Sequence, residues 1–137
     1  MRRLLEECGG SAAWAAAVAD RARGVGRDAL PELADAAWAS LEDAAMRAAF
    51  DMHPASVPEG GDEATRRAAE VALRLYRERF GHAFVSATPS HAADELLMRV
   101  RIRLGNDPLT EWRTACDEQR RFARQRLEDR LAAGADA

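Results

Sequence analysis

Residues 63–85, with the sequence EATRRAAEVALRLYRERFGHAFV, carry the strongest helical pattern in the chain. Apolar residues recur there every three or four positions, the spacing that places side chains on one face of an α-helix. A glycine such as Gly81 commonly ends a helix in the left-handed conformation. We therefore expect a helix from Glu63 to Phe80, followed by an extended connector at residues 83–88. The residues predicted on the buried face of this helix are Ala68, Val71, Ala72, Leu75 and Tyr76.

The same period continues toward the N-terminus, where glycine and serine mark helix ends. A short helix through Leu4 and Leu5 is predicted to end at the pair Gly9-Gly10. Ser11 is the predicted N-cap of a second helix, because a serine side chain can accept a hydrogen bond from an unpaired N–H of the first turn. Two further glycines, at positions 24 and 26, break this second helix.

Two more helices are predicted before the one clear loop of the chain, residues 54–62. The third spans roughly residues 28–39. Ser40 and Asp43 resemble a capping box that opens the fourth helix. That helix stops at His53, because a residue before proline is pushed out of the α region.

Beyond the connector, Ser90 is the predicted N-cap of a helix that continues to Leu104. Asp107 followed by Pro108 then predicts the start of a last helix, which reaches about residue 131. We find no repeat and no paired strands in the sequence. The fold predicted for residues 1–137 is therefore all-α, a single-domain irregular bundle of about six to seven helices.

The composition limits the classes of function. The net charge is −3 and the isoelectric point is about 5.6, which gives no electrostatic footprint for nucleic acid or for an anionic membrane. All 20 residues counted as Lys or Arg are arginine, so a lysine Schiff base is excluded. Anions are then expected to be bound by the guanidinium groups of arginine, which can donate two parallel hydrogen bonds. Cys8 and Cys116 are far apart, without a paired spacing or a secretory signal, and are expected to be reduced thiols of a cytoplasmic protein.

The second half of the chain resembles the family of OHCU decarboxylases, OHCU being 2-oxo-4-hydroxy-4-carboxy-5-ureidoimidazoline. Residues 76–85, YRERFGHAFV, match the family segment Y-x-x-(K/R)-F-G-x-x-F-(I/L/V). Further family motifs follow at the expected intervals, at residues 94–97, at residues 103–107 and at Glu111. It ends at residues 124–127, RQRL, which are similar to the closing R-x-R-L of the family.

The first half resembles the same family more loosely. Residues 4–14 are similar to the opening L-L-x-x-C-x-x-S-x-x-W, and residues 52–54, MHP, occupy the place of its A-H-P motif. Residues 36–38 and Leu41 follow in the expected order. The resemblance therefore covers nearly the whole chain.

The resemblance implies a decarboxylation of OHCU that yields (S)-allantoin without a metal or an organic cofactor. Loss of CO2 leaves a carbanion equivalent, so cationic or N–H groups must hold the anionic substrate and its developing charge. An acid must deliver a proton to one face of the carbon. The pocket must also exclude water.

Carried over position by position, the resemblance makes His53 the catalytic acid–base candidate and places Pro54 beside it in the substrate site. From the residues alone, a surface or capping histidine is the favoured interpretation of His53. Arg126 corresponds to a substrate clamp, although its helix carries five other arginines expected on a salt-bridged face. The main-chain groups of Phe84, Val85 and Ser86 correspond to the ligand-contacting stretch, and a plain connector is the alternative reading.

The sequence departs from the family at the expected pocket. The family motif S-x-x-E-Q, whose Glu and Gln bind substrate, has no counterpart, because the interval from Pro54 to Tyr76 is too short for it. Glu59 and Glu63 are the candidate substitute carboxylates, although Glu63 could simply support the start of a helix. The family G-R-S falls on residues 90–92, where His91 replaces the arginine.

These departures leave three functions open. The first is the decarboxylase itself, with a small anionic ureido-imidazoline as substrate and a homodimer as the assembly implied by the family. The second is a diverged paralogue that acts on another small anionic heterocycle, with His91 reshaping the pocket. The third is a non-catalytic helical interaction module. No metal site is expected, because the three histidines lack the i, i+4 spacing of helical ligands.

Overall fold

The computed structural model describes residues 1–134 and shows an all-α chain, as predicted. Within these residues it contains no strand, and its seven α-helices agree with the expected number. None of these helices is both long and apolar enough to cross a lipid bilayer. The helices are α1 (Arg2–Gly9), α2 (Ala12–Arg21), α3 (Leu30–Ala37), α4 (Asp43–Met52), α5 (Glu63–Phe80), α6 (Ala93–Leu104) and α7 (Pro108–Ala132).

The helices form two hydrophobic cores. The larger core joins α1, α2, α3 and α4 to α7, and at its centre Trp14 stacks on Trp38 with ring centroids 4.7 Å apart. The smaller core lies between α5 and α6. The connector residues 83–90 tie the two together, because Val85 is buried in the larger core and Phe84 in the smaller one.

Most of the predicted helix ends are confirmed. Ser11 Oγ accepts the Trp14 N–H at 3.1 Å at the start of α2. Asp62 accepts from the first turn of α5, and Asp107 accepts the Thr110 N–H at 2.9 Å ahead of Pro108 in α7. Gly81 ends α5 in the left-handed conformation at φ 77°. Each of these signals acts within about four residues, which explains why the sequence alone reveals them.

Three predictions about local structure are wrong. The N-cap of α4 is Glu42 rather than Ser40, whose hydroxyl donates to the Ala37 carbonyl at 2.7 Å instead. Helix α6 begins at Ala93, and Ser90 accepts a hydrogen bond from Arg99 rather than from the helix start. The predicted third helix is divided into α3 and two short 3-10 helices, Arg27–Ala29 and Trp38–Ser40.

The predicted buried face of α5 is also partly wrong. Val71 and Leu75 are 42% and 48% exposed, whereas Ala69, Ala72 and Tyr76 are buried. The reason is that α5 packs mainly against α6, through a narrow face rich in alanine. The periodicity of a long helix identifies an apolar stripe but not which edge of it the neighbouring helix covers.

Candidate active site

A cleft of about 330 Å³ lies between the end of α4, the connector and α7. His53 is the first residue beyond α4, with φ −132° and ψ 58°, and Pro54 follows it. Both line the cleft together with Ser86 and Ser90 from the connector and Phe122 from α7. The structure therefore brings together the predicted acid–base residue and one of the predicted connector residues, although they are more than thirty positions apart in the sequence.

The imidazole of His53 is held between two close neighbours. Its ring centroid lies 5.1 Å from that of Phe122. On the other side, a Cβ atom on Gly10 would lie 2.6 Å from His53 Cε1 and 2.7 Å from Nδ1, so only glycine fits there. Nδ1 is buried and has no hydrogen-bond partner among the described residues. The nitrogen left to face the cleft is therefore Nε2.

Burial lowers the pKa of His53 below its ordinary value of 6.5, and the positive charge of Arg126 lowers it further. The imidazole is consequently neutral at pH 7. A neutral imidazole can accept a proton at one nitrogen while it carries one at the other, which suits a proton relay in a small cleft.

Arg126 lies beside the cleft rather than in its wall. Its guanidinium is 5.3 Å from the centre of the Phe122 ring, and Nη2 donates to the Glu7 carbonyl at 3.1 Å. Within residues 1–134 it forms no ion pair with a carboxylate. Each of the neighbouring arginines from 120 to 130 has such a pair: Arg120 with Asp117, Arg121 with Asp117, Arg124 with Glu128 and Arg130 with Glu7.

The connector has paired carbonyls at Phe84 and Val85, whereas its N–H groups at residues 84–86 are unpaired within residues 1–134. The Phe84 carbonyl accepts the Ala55 N–H at 3.2 Å, and the Val85 carbonyl accepts from Arg103. The N–H groups of Phe84, Val85 and Ser86 donate to no acceptor within residues 1–134. The side chains of Phe84 and Val85 are buried, so only Ser86 adds its side chain to the cleft.

A buried ionic network holds the connector in place. Arg103 and Glu111 pair at 2.6 Å, with only 10% and 0% of their side chains exposed. Tyr76 donates its hydroxyl hydrogen bond to Glu111, and burial together with this bond raises the pKa of Tyr76. The Arg103 guanidinium also lies 4.1 Å from the centre of the Phe84 ring. Sequence reasoning gave these residues no function, although all belong to the stretches that resemble the family.

Two further charged residues, which sequence reasoning missed, brace the wall of the cleft. Glu118 on α7 accepts from Ser86 Oγ and from the Ala87 N–H, both at 3.4 Å. Arg99 on α6 donates to the Thr88 carbonyl at 2.7 Å and to Ser90 Oγ at 3.2 Å. No sequence signal marks these contacts, because the connector atoms that they join are nine or more residues away in the sequence.

The remaining predicted residues lie elsewhere. His91 and Glu59 line a second cleft of about 350 Å³, with Asp62 and Asp94 in the same wall. Glu63 pairs with Arg67 at 3.4 Å on the exposed side of α5. Neither of the two substitute carboxylates therefore lines the His53 cleft. No group of three or more potential metal ligands is found within residues 1–134.

This all-α bundle places a single histidine, the connector residue Ser86 and a nearby arginine at one small cleft. Such a layout is typical of a small-molecule site for proton transfer. The family model described as OHCU decarboxylase matches residues 1–128. The chain belongs to the OHCU decarboxylase family.

Individual relatives agree with this assignment. A 2-oxo-4-hydroxy-4-carboxy-5-ureidoimidazoline decarboxylase of Amia calva is 39% identical over 54 residues, which cover 39% of this chain and 31% of the relative. The protein of the same name from Haloferax volcanii is 36% identical over 74 residues, 52% of this chain and 44% of the relative. The matched stretches thus span less than half of either relative.

Two solved structures share the fold. The crystal structure of OHCU decarboxylase in the presence of (S)-allantoin superposes with a TM-score of 0.77 at 19% identity, over 93% of this chain and 96% of that one. The crystal structure of (S)-allantoin synthase gives a TM-score of 0.79 at 18% identity, over 93% of this chain and 48% of the other. At these identities the likeness establishes the helical fold.

Proposed function

We propose that this chain is a carboxy-lyase that converts OHCU to (S)-allantoin, with His53 as its acid–base residue. The observation that carries the proposal is the setting of His53 in the wall of the 330 Å³ cleft, with Nδ1 buried, which leaves Nε2 as the nitrogen available to a substrate. Family membership supports the choice of substrate. We also propose that residues 1–137 form one domain.

The reaction breaks the bond to the carboxylate, releases CO2 and takes up one net proton at carbon. His53 Nε2 delivers that proton from one side of the cleft, and the single direction of delivery makes the product chiral. Because its lowered pKa keeps the resting imidazole neutral at pH 7, His53 first takes up a proton from solvent water at the cleft opening and then delivers it to carbon.

Charge stabilisation comes from the connector and from α7. We assign the unpaired N–H groups of Phe84, Val85 and Ser86 to the anionic part of the substrate, because main-chain donors fixed by the fold need no reorganisation as charge develops. Of these three residues, Ser86 lines the cleft itself. Arg126 provides a guanidinium free of carboxylate partners within the described chain, and Pro54 forms part of the wall. We assign Glu59 and Glu63 no contact with substrate, because neither lines this cleft.

The test is to mix the purified protein with freshly generated OHCU and to follow (S)-allantoin by circular dichroism, with His53→Ala measured in parallel. We expect rapid formation of chiral product with the wild type and the slow racemic background with the variant. Background rates for both proteins would contradict the proposal and leave the family fold serving another purpose.

A second candidate function, on another small anionic heterocycle, is favoured by one observation. His91 and Glu59 form a neighbouring cleft at the place where the family arginine is replaced. Under this alternative, OHCU turnover is weak, and a related ureido or imidazoline acid competes with it. Progress curves of OHCU decarboxylation in the presence of such acids would separate the two candidates.

We also propose a cytoplasmic homodimer. The free thiols Cys8 and Cys116 are compatible with a reducing compartment. Met98 and Ile102, one turn apart on α6, are 63% and 66% exposed and offer an apolar surface for a second copy. Light scattering after size exclusion would give the mass of a dimer for the wild type, and Ile102→Glu would shift it toward the monomer.

A further inference from the structure

Phe122 on α7 differs from the other three phenylalanines of the chain. Phe50, Phe80 and Phe84 pack in or against the two hydrophobic cores, whereas Phe122 belongs to neither core in the described part of the chain. Its ring is half-buried and forms part of the wall of the His53 cleft. Because a ring outside the cores adds little to the packing of the helices, the contacts that it makes at the cleft define its role.

These contacts join the acid–base residue to the arginine beside the cleft. The centre of the Phe122 ring lies 5.1 Å from that of the His53 imidazole. The guanidinium carbon of Arg126 lies over the same ring, 5.3 Å from its centre. Phe122 and Arg126 are four positions apart on α7, the spacing that places two side chains on one face of a helix. The contact between them is therefore set by a single helix.

The groups that hold Arg126 within residues 1–134 carry no charge. One is the Phe122 ring, and the other is the Glu7 carbonyl, which accepts from Nη2 at 3.1 Å. The carboxylate of Glu7 is engaged by Arg130, at 3.0 Å. A cation over an aromatic face is attracted by the ring quadrupole and keeps its full charge. The N–H groups at the edge of the guanidinium plane remain available to an anion.

We propose that Phe122 is a positioning residue for Arg126: its ring holds the guanidinium at the edge of the His53 cleft while leaving its charge free for the substrate anion. A carboxylate in the place of the ring would also hold the guanidinium, but it would neutralise that charge. The effect on substrate binding rests on the proposed decarboxylase function. The placement of the guanidinium does not, because it is a property of the free protein.

The first experiment needs no substrate. An aromatic ring shifts the NMR resonances of protons above its face upfield. In the wild type, the side-chain protons next to the Arg126 guanidinium should therefore resonate upfield of those of Arg124 and Arg130. Phe122→Leu should return them to ordinary arginine values, and Phe122→Tyr, which keeps the ring face, should not. Ordinary values for Arg126 in the wild type would overturn the proposal, whether or not the protein makes allantoin.

The second experiment measures the kinetics of OHCU turnover in Phe122→Leu, which keeps an apolar side chain but loses the ring. We expect KM to rise about fourfold, the order of a cation–π contact near the surface, and kcat to change less than about twofold. The imidazole is still confined by Gly10 in this variant, which is why the effect falls on KM. An unchanged KM would overturn the proposal.

A double variant separates an effect through Arg126 from a general effect on the cleft wall. When Arg126→Gln is already present, Phe122→Leu should raise KM no further, because no guanidinium remains to be held. An equal rise of KM in the two backgrounds would overturn the proposal. A wild type with the expected NMR shifts and no turnover would contradict only the proposed function.

Discussion

The two neighbouring clefts each contain a histidine and have similar volumes, but they hold it in opposite ways. His53 is pressed between Gly10 and Phe122, with one nitrogen buried and its pKa lowered. His91 is exposed and shares its cleft with the carboxylates of Glu59, Asp62 and Asp94. The difference shows how enclosure by several elements fixes the position of an imidazole ring and lowers its pKa, as at His53.

The sharpest test of this comparison is the pair of alanine variants. His53→Ala should lower kcat/KM at least about a hundredfold, because loss of general acid–base catalysis typically costs two to four orders of magnitude. His91→Ala should change it less than about threefold. Both rates come from the circular dichroism assay. Similar losses of kcat/KM in the two variants would mean that His91 in the second cleft also takes part in the reaction.

The next largest effect concerns the network behind the His53 cleft. Arg103→Met leaves the Glu111 carboxylate buried without its partner, which should lower the free energy of unfolding by about 3–5 kcal/mol. Arg67→Met on α5 is the matched control, because its exposed pair with Glu63 is remote from the connector and should cost less than about 1 kcal/mol. Urea denaturation measures both. Equal costs would show that the buried network is not what holds the connector.

Glycine at position 10 provides a third test. Gly10→Ala combines left-handed strain at φ 67° with a clash against His53, so we expect a loss of about 2–4 kcal/mol in the free energy of unfolding. Gly24→Ala has the same strain at φ 74° but no atom within 4 Å, and should cost only about 1–2 kcal/mol. Thermal and urea unfolding of the two variants isolate the close contacts of Gly10 with His53 and Met52. Identical values would show that these contacts do not require glycine.

The smallest expected effect is electrostatic. The Arg126 charge lowers the pKa of His53, so Arg126→Gln should raise that pKa, although it stays below 6.5 because burial is the larger cause. NMR titration of the imidazole in the two proteins measures the change. Titration curves that coincide would show that the guanidinium does not act on His53.

The lowered pKa values of His53 and His82 also make the stability depend on pH. Burial keeps His53 and His82 neutral in the folded chain, and the pKa of each lies below its unfolded value near 6.5. The unfolded chain therefore binds protons first, and the free energy of unfolding should fall as the pH drops below 6.5. Above that pH these two groups contribute their full stabilisation. Urea unfolding at a series of pH values from 8 to 5 checks the direction.

Much of the molecule could be read from the sequence alone. The helix ends at Ser11, Asp62, Gly81 and Asp107 were predictable, because each is fixed by hydrogen bonds or backbone conformation within one turn. The all-α class followed from the same short-range periodicity. The family could be recognised from ordered motifs, which preserve spacing even where the identity of the residues between them is low.

Tertiary structure alone decided the composition of the site. Val71 and Leu75 fit a buried stripe yet remain exposed, since only the neighbouring helix determines which edge is covered. The sequence also could not show that Glu59 and His91 occupy another cleft, or that Gly10, at the end of α1, approaches His53. Local hydrogen bonds specify where helices begin and end, whereas long-range packing specifies which side chains meet, and no spacing along the chain records that.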